Sequence, residues 1–382
     1  MEKYYIKLIQ EEKNDAYSND DLYNLNSWGA DLSFRELVTM YEENELMKPE
    51  LQRYYVWDKP EASRFIESIL LGLPIPSIFL ANTQDGKKLI IDGYQRIMTV
   101  YDYMKKGVWR KDGKTFKLSN TEKINPKYRG KTFNELPEQD QRRLKSSTIH
   151  AIVFEQKSPN DKDTSLYQVF ERINTGGRAL MPQEIRNCVN QGPFNSLLLE
   201  LNDNSFWRAL YGKHDKDPRM RDMEMILRFL ALDTDFIGHH ELSNISLKKY
   251  LNEFMGAFDS QNSSTIEERR EKFNSVMKYI FEHIGENAFF NISGVDNSKI
   301  RKRFYPTIFD SICVAVAIAL RELGDGIPKD SLEEKRIALL KDEQFRIYSS
   351  EGTMQISHIH GRISKALSYL FEISYEKRKF SK

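Results

Sequence analysis

The pattern of apolar and polar positions differs between the two halves of this chain. In the first half, the runs SIFLAN, KLIID and TIHAIVFEQ are short, apolar and rich in β-branched residues, which predicts strands. The turn QDGKK joins the first two runs and predicts a hairpin, and RKDGKTFKL at 110–118 predicts a second, smaller one. The segments LSFRELVTMYEEN and KPEASRFIESILL carry apolar residues three and four apart. This spacing predicts two helices, the first of them capped by Ser33.

From about residue 164 onward, the helical period dominates. SLYQVFERIN predicts a helix, TGGRAL interrupts it, and MPQEIRNCVN restarts it with Pro182 in the first turn. Later helices are predicted for MRDMEMILRFLAL, LKKYLNEFMGAF, EKFNSVMKYIFEHI, FYPTIFDSICVAVAIAL and ISKALSYLFEI. Because 382 residues exceed what one hydrophobic core usually holds, we expect two domains. The pattern predicts an α+β domain over 1–190, followed by an α-helical domain over 191–382.

Composition narrows the class of protein. A hydrophobic fraction of 40 %, a charged fraction of 30 % and a net charge of +1 are ordinary for a soluble chain. The sequence has no apolar run of transmembrane length and no signal peptide, and its two cysteines are far apart, so we expect a cytoplasmic protein. With this net charge, binding to DNA would depend on local basic runs. Such runs lie at 105–114, 299–304 and 377–382. The alternative for each run is a solvated surface that does not contact DNA. The apolar helix at 304–323 is expected in the core of the helical domain or at a homo-oligomer interface.

One turn in the first domain carries candidate chemistry. In LIIDGYQRIMTV, a predicted strand ends at Asp92 and a predicted helix begins straight after Gly93. The unpaired N–H groups and the dipole of a helix N-terminus favour a bound anion there. Arg96 lies in the first helical turn, where the dipole disfavours a cation, and its planar guanidinium suits a phosphate. Asp92 would then hold a metal ion bound to that phosphate. Alternatively, Asp92 pairs with Arg96 and the turn is purely structural.

Two further clusters of residues are candidate functional sites. In FERINTGGRALMPQEIRN, three arginines, Arg172, Arg178 and Arg186, surround a Gly-Gly turn. This is either an anion or nucleic-acid contact or a helix–turn–helix corner with a Glu–Arg network. In LQRYYVWD, Arg53 precedes an aromatic stretch. The alternative interpretation is that this stretch only packs at the edge of the core.

Several familiar sites are excluded by spacing. GVWRKDGKT at 107–115 has five residues between its first glycine and Gly-Lys-Thr, whereas a phosphate-binding P-loop needs four. The histidine pairs at 238–240 and 358–362 lack further ligands at matching spacing. The sequence contains no nucleophile elbow, kinase signature or dinucleotide-binding glycine fingerprint.

Three stretches, LQRYYVWDKPEASRFIESILLGLPIPSIFL, LIIDGYQRIMTV and VFERINTGGRALMPQEIRN, together resemble the N-terminal domain of GmrSD-type modification-dependent restriction systems. The resemblance covers about residues 35–200 and implies a ParB/sulfiredoxin-like fold. The family signature is Asp-Gly-Gln-Gln-Arg, and this chain has tyrosine at the third position. By resemblance, a nucleotide site would be lined by Arg53, Asp92, Gly93, Tyr94, Gln95, Arg96, Asn174, Gly176 and Gly177.

The same resemblance implies roles and partners. A nucleoside triphosphate would bind with Mg²⁺ on Asp92, Arg96 would contact phosphate, and Gln95 would contact phosphate or the attacking water, so these three residues are the catalytic candidates for hydrolysis. Tyr94 is a departure that bears on binding or turnover. The chain would act as a sensor or regulator in phage defence, with DNA or a partner nuclease as further partners. No His-Asn-His nuclease motif is recognisable.

Two alternatives remain open from sequence. The chain could be a DNA- or protein-binding module with a degenerate nucleotide site. It could also be an intact nuclease whose site lies in the helical half and uses His358, His360 and carboxylates such as Glu351.

Overall fold

The computed structural model describes most of the chain: residues 5–6, 25–47, 55–83, 86–156, 169, 173, 181–190, 192–233, 245–258, 263–293 and 299–375. The chain divides into two compact units. The sheet unit comprises Asp20–Leu180 with Asn187–Val189. The helical unit comprises Met1–Asn19, Met181–Arg186 and Asn190–Lys382. The boundary expected at residue 190 stays a prediction.

The described strands are β1 (Tyr5–Ile6), β2 (Leu25–Ser33), β3 (Leu46–Met47), β4 (Ile78–Asn82), β5 (Lys88–Asp92), β6 (Thr148–Gln156), β7 (Phe290–Ile292) and β8 (Ile300–Phe304). The described α-helices are α1 (Phe34–Glu42), α2 (Lys59–Leu71), α3 (Tyr94–Tyr101), α4 (Glu138–Ser146), α5 (Pro182–Val189), α6 (Pro193–Leu201), α7 (Ser205–Tyr211), α8 (Arg221–Leu232), α9 (Leu247–Phe258), α10 (Ser263–His283), α11 (Pro306–Leu323), α12 (Leu332–Lys341), α13 (Glu343–Ser350) and α14 (Ile356–Phe371).

The sheet unit is built on a mixed five-stranded sheet. The strand order is β2-β6-β4-β5-β3, in which β2–β6 and β4–β5 are antiparallel and β4–β6 and β3–β5 are parallel. Helices α1 to α4 pack against one another beside it. Strand residues such as Leu80 and Ile90 and helix residues such as Ile66 and Met98 share one buried apolar cluster. The sheet and its helices therefore hold α3 firmly at the end of β5.

Local sequence explains where helix α2 begins and ends. Asp58 accepts a hydrogen bond from the N–H of Glu61 at 2.8 Å, and the Glu61 carboxylate accepts one from the N–H of Asp58 at 2.8 Å. This capping box satisfies two N–H groups that the helix start would otherwise leave unpaired. Gly72 ends the helix in the left-handed conformation, with φ +74°.

The helical unit is centred on α11, which is buried from Pro306 to Ala319. Helices α8, α10, α13 and α14 pack against it. The unit also contains a three-stranded sheet of order β1-β8-β7, with β1 parallel and β7 antiparallel to β8. None of the helices within the described residues is long and apolar enough to cross a membrane.

The structure confirms the expected α+β N-terminal part and helical C-terminal part. The β4–β5 hairpin, strand β6 and the Ser33-capped helix α1 all form as predicted. The Ser33 hydroxyl accepts a hydrogen bond from the N–H of Glu36 at 3.2 Å. The helix predicted for SLYQVFERIN lies outside the described residues, except for residues 169 and 173.

Two features differ from the expectation. The hairpin predicted at 110–118 reduces to a single antiparallel bridge between Val108 and Thr115. Strand β2 and the small sheet of the helical unit were not predicted. The β2 sequence LNSWGADLS contains residues with low strand propensity, and its pairing with β6 along all nine residues overrides that propensity.

Candidate functional site

The corner between β5 and α3 is shaped by Gly93. This residue occupies the N-cap position of α3 with φ +104°, in the left-handed region that favours glycine. A Cβ atom at this position would lie 2.8 Å from the Cβ of Ile78 and would overlap its Cγ2 methyl group. In the structure, the space that a side chain would fill is taken by Ile78 of the neighbouring strand.

Arg96 braces this corner from inside. Its Nη2 atom donates to Oδ2 of Asp92 at 2.6 Å, and its Nη1 atom donates to the carbonyl oxygens of Pro76 at 3.0 Å and Ser77 at 2.5 Å. The Arg96 side chain is only 15 % exposed, whereas that of Asp92 is 40 % exposed. The Asp–Arg pair predicted as one alternative is therefore formed. It also offsets the unfavourable position of a cation at the helix N-terminus.

Gln95 connects α3 to the segment before α2. Its Oε1 atom accepts hydrogen bonds from the N–H groups of Val56 at 3.1 Å and Trp57 at 3.4 Å. These two bonds fix the orientation of the amide, because only its oxygen can accept. The Nε2 group is consequently left as a donor, and the described part of the chain supplies no acceptor for it. The start of α3 has no side-chain cap either.

Tyr94 is held by an ion pair that sequence reasoning missed. Its hydroxyl accepts a hydrogen bond from Nη1 of Arg110 at 3.0 Å. Arg110 also donates to both oxygens of the fully buried Asp102, at 2.6 and 2.9 Å. Burial raises the pKa of Tyr94, and the neighbouring Arg110 opposes that rise. Tyr94 therefore serves as an anchored neutral phenol at this position.

A second layer of contacts surrounds Gln95. The Tyr55 hydroxyl lies 2.5 Å from Oγ1 of Thr99, which in turn donates to the backbone carbonyl of Gln95 at 2.7 Å. Nζ of Lys111 donates to the carbonyl oxygens of Val56 at 3.1 Å and Trp57 at 3.3 Å. Arg110 and Lys111 were visible in sequence only as part of a basic run. Nothing local distinguishes their long-range contacts from those of solvated cations.

The structure describes the remaining predicted site residues and the third motif only in part. Arg53, Asn174, Gly176 and Gly177 lie outside the described residues. Arg186, from the third motif, pairs with Glu224 at 2.8 Å inside the helical unit. Within the same unit Glu184 pairs with Arg219 at 2.9 Å. At the described end of that motif, Glu184 and Arg186 thus form ion pairs with residues outside the motif, whereas Arg172 and Arg178 lie outside the described residues.

The corner offers hydrogen-bond donors that suit a phosphate group and one carboxylate that suits a metal ion. The described residues contain no group of three or more His, Cys, Asp or Glu side chains that could hold a metal ion. Mg²⁺, however, commonly uses one or two protein carboxylates together with substrate phosphates and water. Asp92 supplies one such carboxylate, while the Gln95 amide and the uncapped helix N-terminus supply donors for phosphate. Among the described residues, neither His358 nor His360 of the alternative nuclease site belongs to a group that could hold a metal ion. Nδ1 of His358 contacts the carbonyl oxygen of Glu351, and Nδ1 of His360 contacts the Tyr375 hydroxyl.

Comparison with known proteins finds a family model whose match covers this corner. Residues 34–190 match the family model of the GmrSD restriction endonuclease, N-terminal domain. The matched stretch contains the β5–α3 corner, the Val56–Trp57 segment and the Arg110–Lys111 turn. A search of the curated proteins finds no match to the chain.

Proposed function

We propose, from the match of residues 34–190 to the GmrSD restriction endonuclease N-terminal domain and from the contacts at the corner, that this chain binds a nucleoside triphosphate at the β5–α3 corner. The matching family model describes a restriction endonuclease. The corresponding biological role for this chain is that of a component of a restriction or phage-defence system. In that role the chain senses or regulates, and a partner nuclease acts on DNA. NTP hydrolysis and assembly into a homo-oligomer belong to the same proposal.

The observation that carries this proposal is the fixed orientation of the Gln95 amide. Its oxygen is engaged by two backbone N–H groups, so its NH₂ group remains as a donor beside a helix N-terminus without a side-chain cap. Donors held in place before binding interact with an anion without paying for reorganisation. A hydrogen bond to a charged group contributes about 1.5–3 kcal/mol.

The roles of the three catalytic candidates follow from their contacts. Gln95 donates to phosphate, and its oxygen does not accept a hydrogen bond from the attacking water, because both acceptor positions of that oxygen are used. Arg96 holds Asp92 and the Pro76–Ser77 carbonyls in place, and its positive charge lies next to the proposed phosphate. Asp92 is the exposed carboxylate that would hold Mg²⁺ or orient water. When bound, Mg²⁺ would neutralise developing charge on the phosphate oxygens.

A calorimetric titration of each of the four NTPs with Mg²⁺ tests this proposal on the parent and on Gln95→Glu. The substituted carboxylate still accepts from Val56 and Trp57, but it replaces the NH₂ donor with a negatively charged acceptor. We expect the parent to bind at least one NTP and Gln95→Glu to bind it at least tenfold more weakly, in line with about 1.5–3 kcal/mol for the lost bond.

Gln139→Glu is the matched control, because Gln139 is an exposed residue of α4 in the same unit and the substitution adds the same charge. It should leave the affinity unchanged. Equal affinity of the parent and Gln95→Glu would place nucleotide binding elsewhere. An absence of NTP binding by the parent would favour the binding-module alternative, in which the Asp92–Arg96 pair is a structural brace.

A further inference from the structure

The turn that follows α3 reaches back to the candidate site through two consecutive basic residues. Arg110 and Lys111 lie in the loop that the Val108–Thr115 bridge closes, next to the buried Trp109. Arg110 is fixed by its two bonds to the fully buried Asp102. A buried ion pair is tolerated only with good geometry and further hydrogen bonds, so this contact fixes the direction of the turn.

From this turn, Lys111 binds the carbonyl oxygens of Val56 and Trp57, the two residues whose N–H groups bind Gln95. Its Nζ atom donates to the carbonyl oxygens of Val56 and Trp57, at 3.1 and 3.3 Å. Gln95 accepts from the N–H groups of the same two residues. Both polar groups of both residues are therefore engaged. An exposed lysine ordinarily donates to water, and ordering its flexible side chain carries an entropic penalty.

The orientation of the Gln95 amide depends on this arrangement. Among the described residues, only the N–H groups of Val56 and Trp57 donate to its oxygen. If that peptide moves, the amide is free to turn by 180° and present its oxygen, which repels an anion, where the NH₂ group otherwise lies. The position of the 56–57 peptide thus decides whether Gln95 offers a donor.

We infer that Lys111 is a positioning residue for the anion site at the β5–α3 corner: it holds the Val56–Trp57 peptide, and this peptide keeps the Gln95 NH₂ group available to phosphate. The inference rests on the proposed nucleotide binding. Lys111 does not itself contact the phosphate. Arg110, through Asp102 and Tyr94, fixes the turn from which Lys111 reaches the peptide.

Three variants of the full chain test this assignment. Lys111→Met removes the ammonium group and keeps an unbranched stem. Lys111→Arg keeps a cation with several donors. Lys114→Met removes the same charge from an exposed residue of the same loop whose side chain makes no hydrogen bond to the described residues. Two quantities are measured: amide hydrogen exchange at Val56 and Trp57 without nucleotide, and NTP affinity at low and high salt.

We expect Lys111→Met to exchange faster at both amides and to bind NTP about three- to tenfold more weakly at either salt concentration. Lys111→Arg should restore both quantities, and Lys114→Met should match the parent. Unchanged exchange in Lys111→Met overturns this inference alone, as does an affinity loss that disappears at high salt, because the latter identifies a direct charge effect on the anion. An absence of NTP binding by the parent overturns the proposed function and this inference together.

Discussion

At the scale of single residues, Gly93 is required by the packing of its neighbour. Its φ of +104° penalises any side chain, and the Ile78 side chain occupies the volume that a Cβ would need. The corner therefore depends on this glycine whether or not a ligand binds there.

We expect Gly93→Ala to destabilise the sheet unit by about 2–5 kcal/mol. The left-handed backbone contributes about 1–2 kcal/mol of this and overpacking against Ile78 about 1–3 kcal/mol. Urea denaturation followed by circular dichroism measures the change. The matched control is Gly113→Ala, because Gly113 has φ +69° but nothing within 4 Å of the added Cβ. It should lose only about 1–2 kcal/mol, and equal losses in the two variants would contradict the role of Ile78.

Tyr94 shows how one departure from a family signature is accommodated. The phenol accepts from Arg110, whose guanidinium also lies 5.2 Å from the centre of the Tyr55 ring. The departure thus gives α3 an aromatic anchor at its first residue. It leaves Gln95 and Arg96, which follow in the helix, with contacts of their own.

At the scale of elements, helix starts are where local sequence has the most influence. Helix α13 begins after Asp342, whose Oδ1 atom accepts from the N–H of Phe345 at 2.8 Å. Its Oδ2 atom accepts from Lys365 at 2.9 Å and from the Tyr369 hydroxyl at 3.0 Å. Partial burial acts to raise the pKa of Asp342, but these hydrogen bonds outweigh it and hold the pKa below its usual value.

This lowered pKa predicts a pH-dependent stability. A carboxyl with a lower pKa in the folded state stabilises the protein above its unfolded pKa of about 3.9, and the stabilisation is lost as the pH falls through the folded pKa. Asp342→Asn keeps an N-capping residue but loses the charge. We therefore expect it to be less stable than the parent near pH 7 and to approach the parent below about pH 4.

Urea midpoints measured between pH 3 and pH 7 check this expectation. Asp330→Asn is the control, since Asp330 is exposed and makes no hydrogen bond or ion pair with the described residues. A difference between Asp342→Asn and the parent that stays constant across this pH range would show that the charge of Asp342 does not contribute.

At the scale of the molecule, the helical unit is held together by a buried charge cluster as well as by its apolar core. Asp310 of α11 pairs with Arg228 of α8 at 2.6 Å, and Arg362 of α14 lies 3.4 Å from the same carboxylate. All three residues are at most 1 % exposed. Three helices distant in sequence thus meet at one buried carboxylate.

We expect Asp310→Leu to destabilise the helical unit by about 3–5 kcal/mol, because it breaks a buried ion pair and removes the carboxylate that two buried arginines share. The double variant Arg228→Met with Asp310→Leu should lose less than the single variant, since it removes one of those cations as well. Chemical denaturation of the parent and both variants measures the coupling. A double variant that is less stable than the single one would mean that Arg228 stabilises the unit independently of Asp310.

Much of the fold could be predicted from sequence because its signals are local. Helix α2 has its capping box, its apolar stripe and its terminal glycine within one segment, and the β4–β5 hairpin has its turn within one segment. Strand β2 has no such signal, because Gly29 and Asp31 weaken its strand propensity and only the ladder with β6 selects the extended form. The β1–β8–β7 sheet joins opposite ends of the chain, which a local pattern does not reveal.

The position of the candidate site could be predicted from local sequence: a strand that ends at Asp92, a glycine that turns the chain, and a helix that begins at Tyr94. The Asp92–Arg96 pair could also be predicted as one of two alternatives, because a tight turn at Gly93 brings the end of β5 next to the first turn of α3. Local sequence does not reveal which atom of Gln95 is left to donate. That outcome depends on Val56, Trp57 and Lys111, which are remote along the chain and brought to α3 by the packing of the sheet unit.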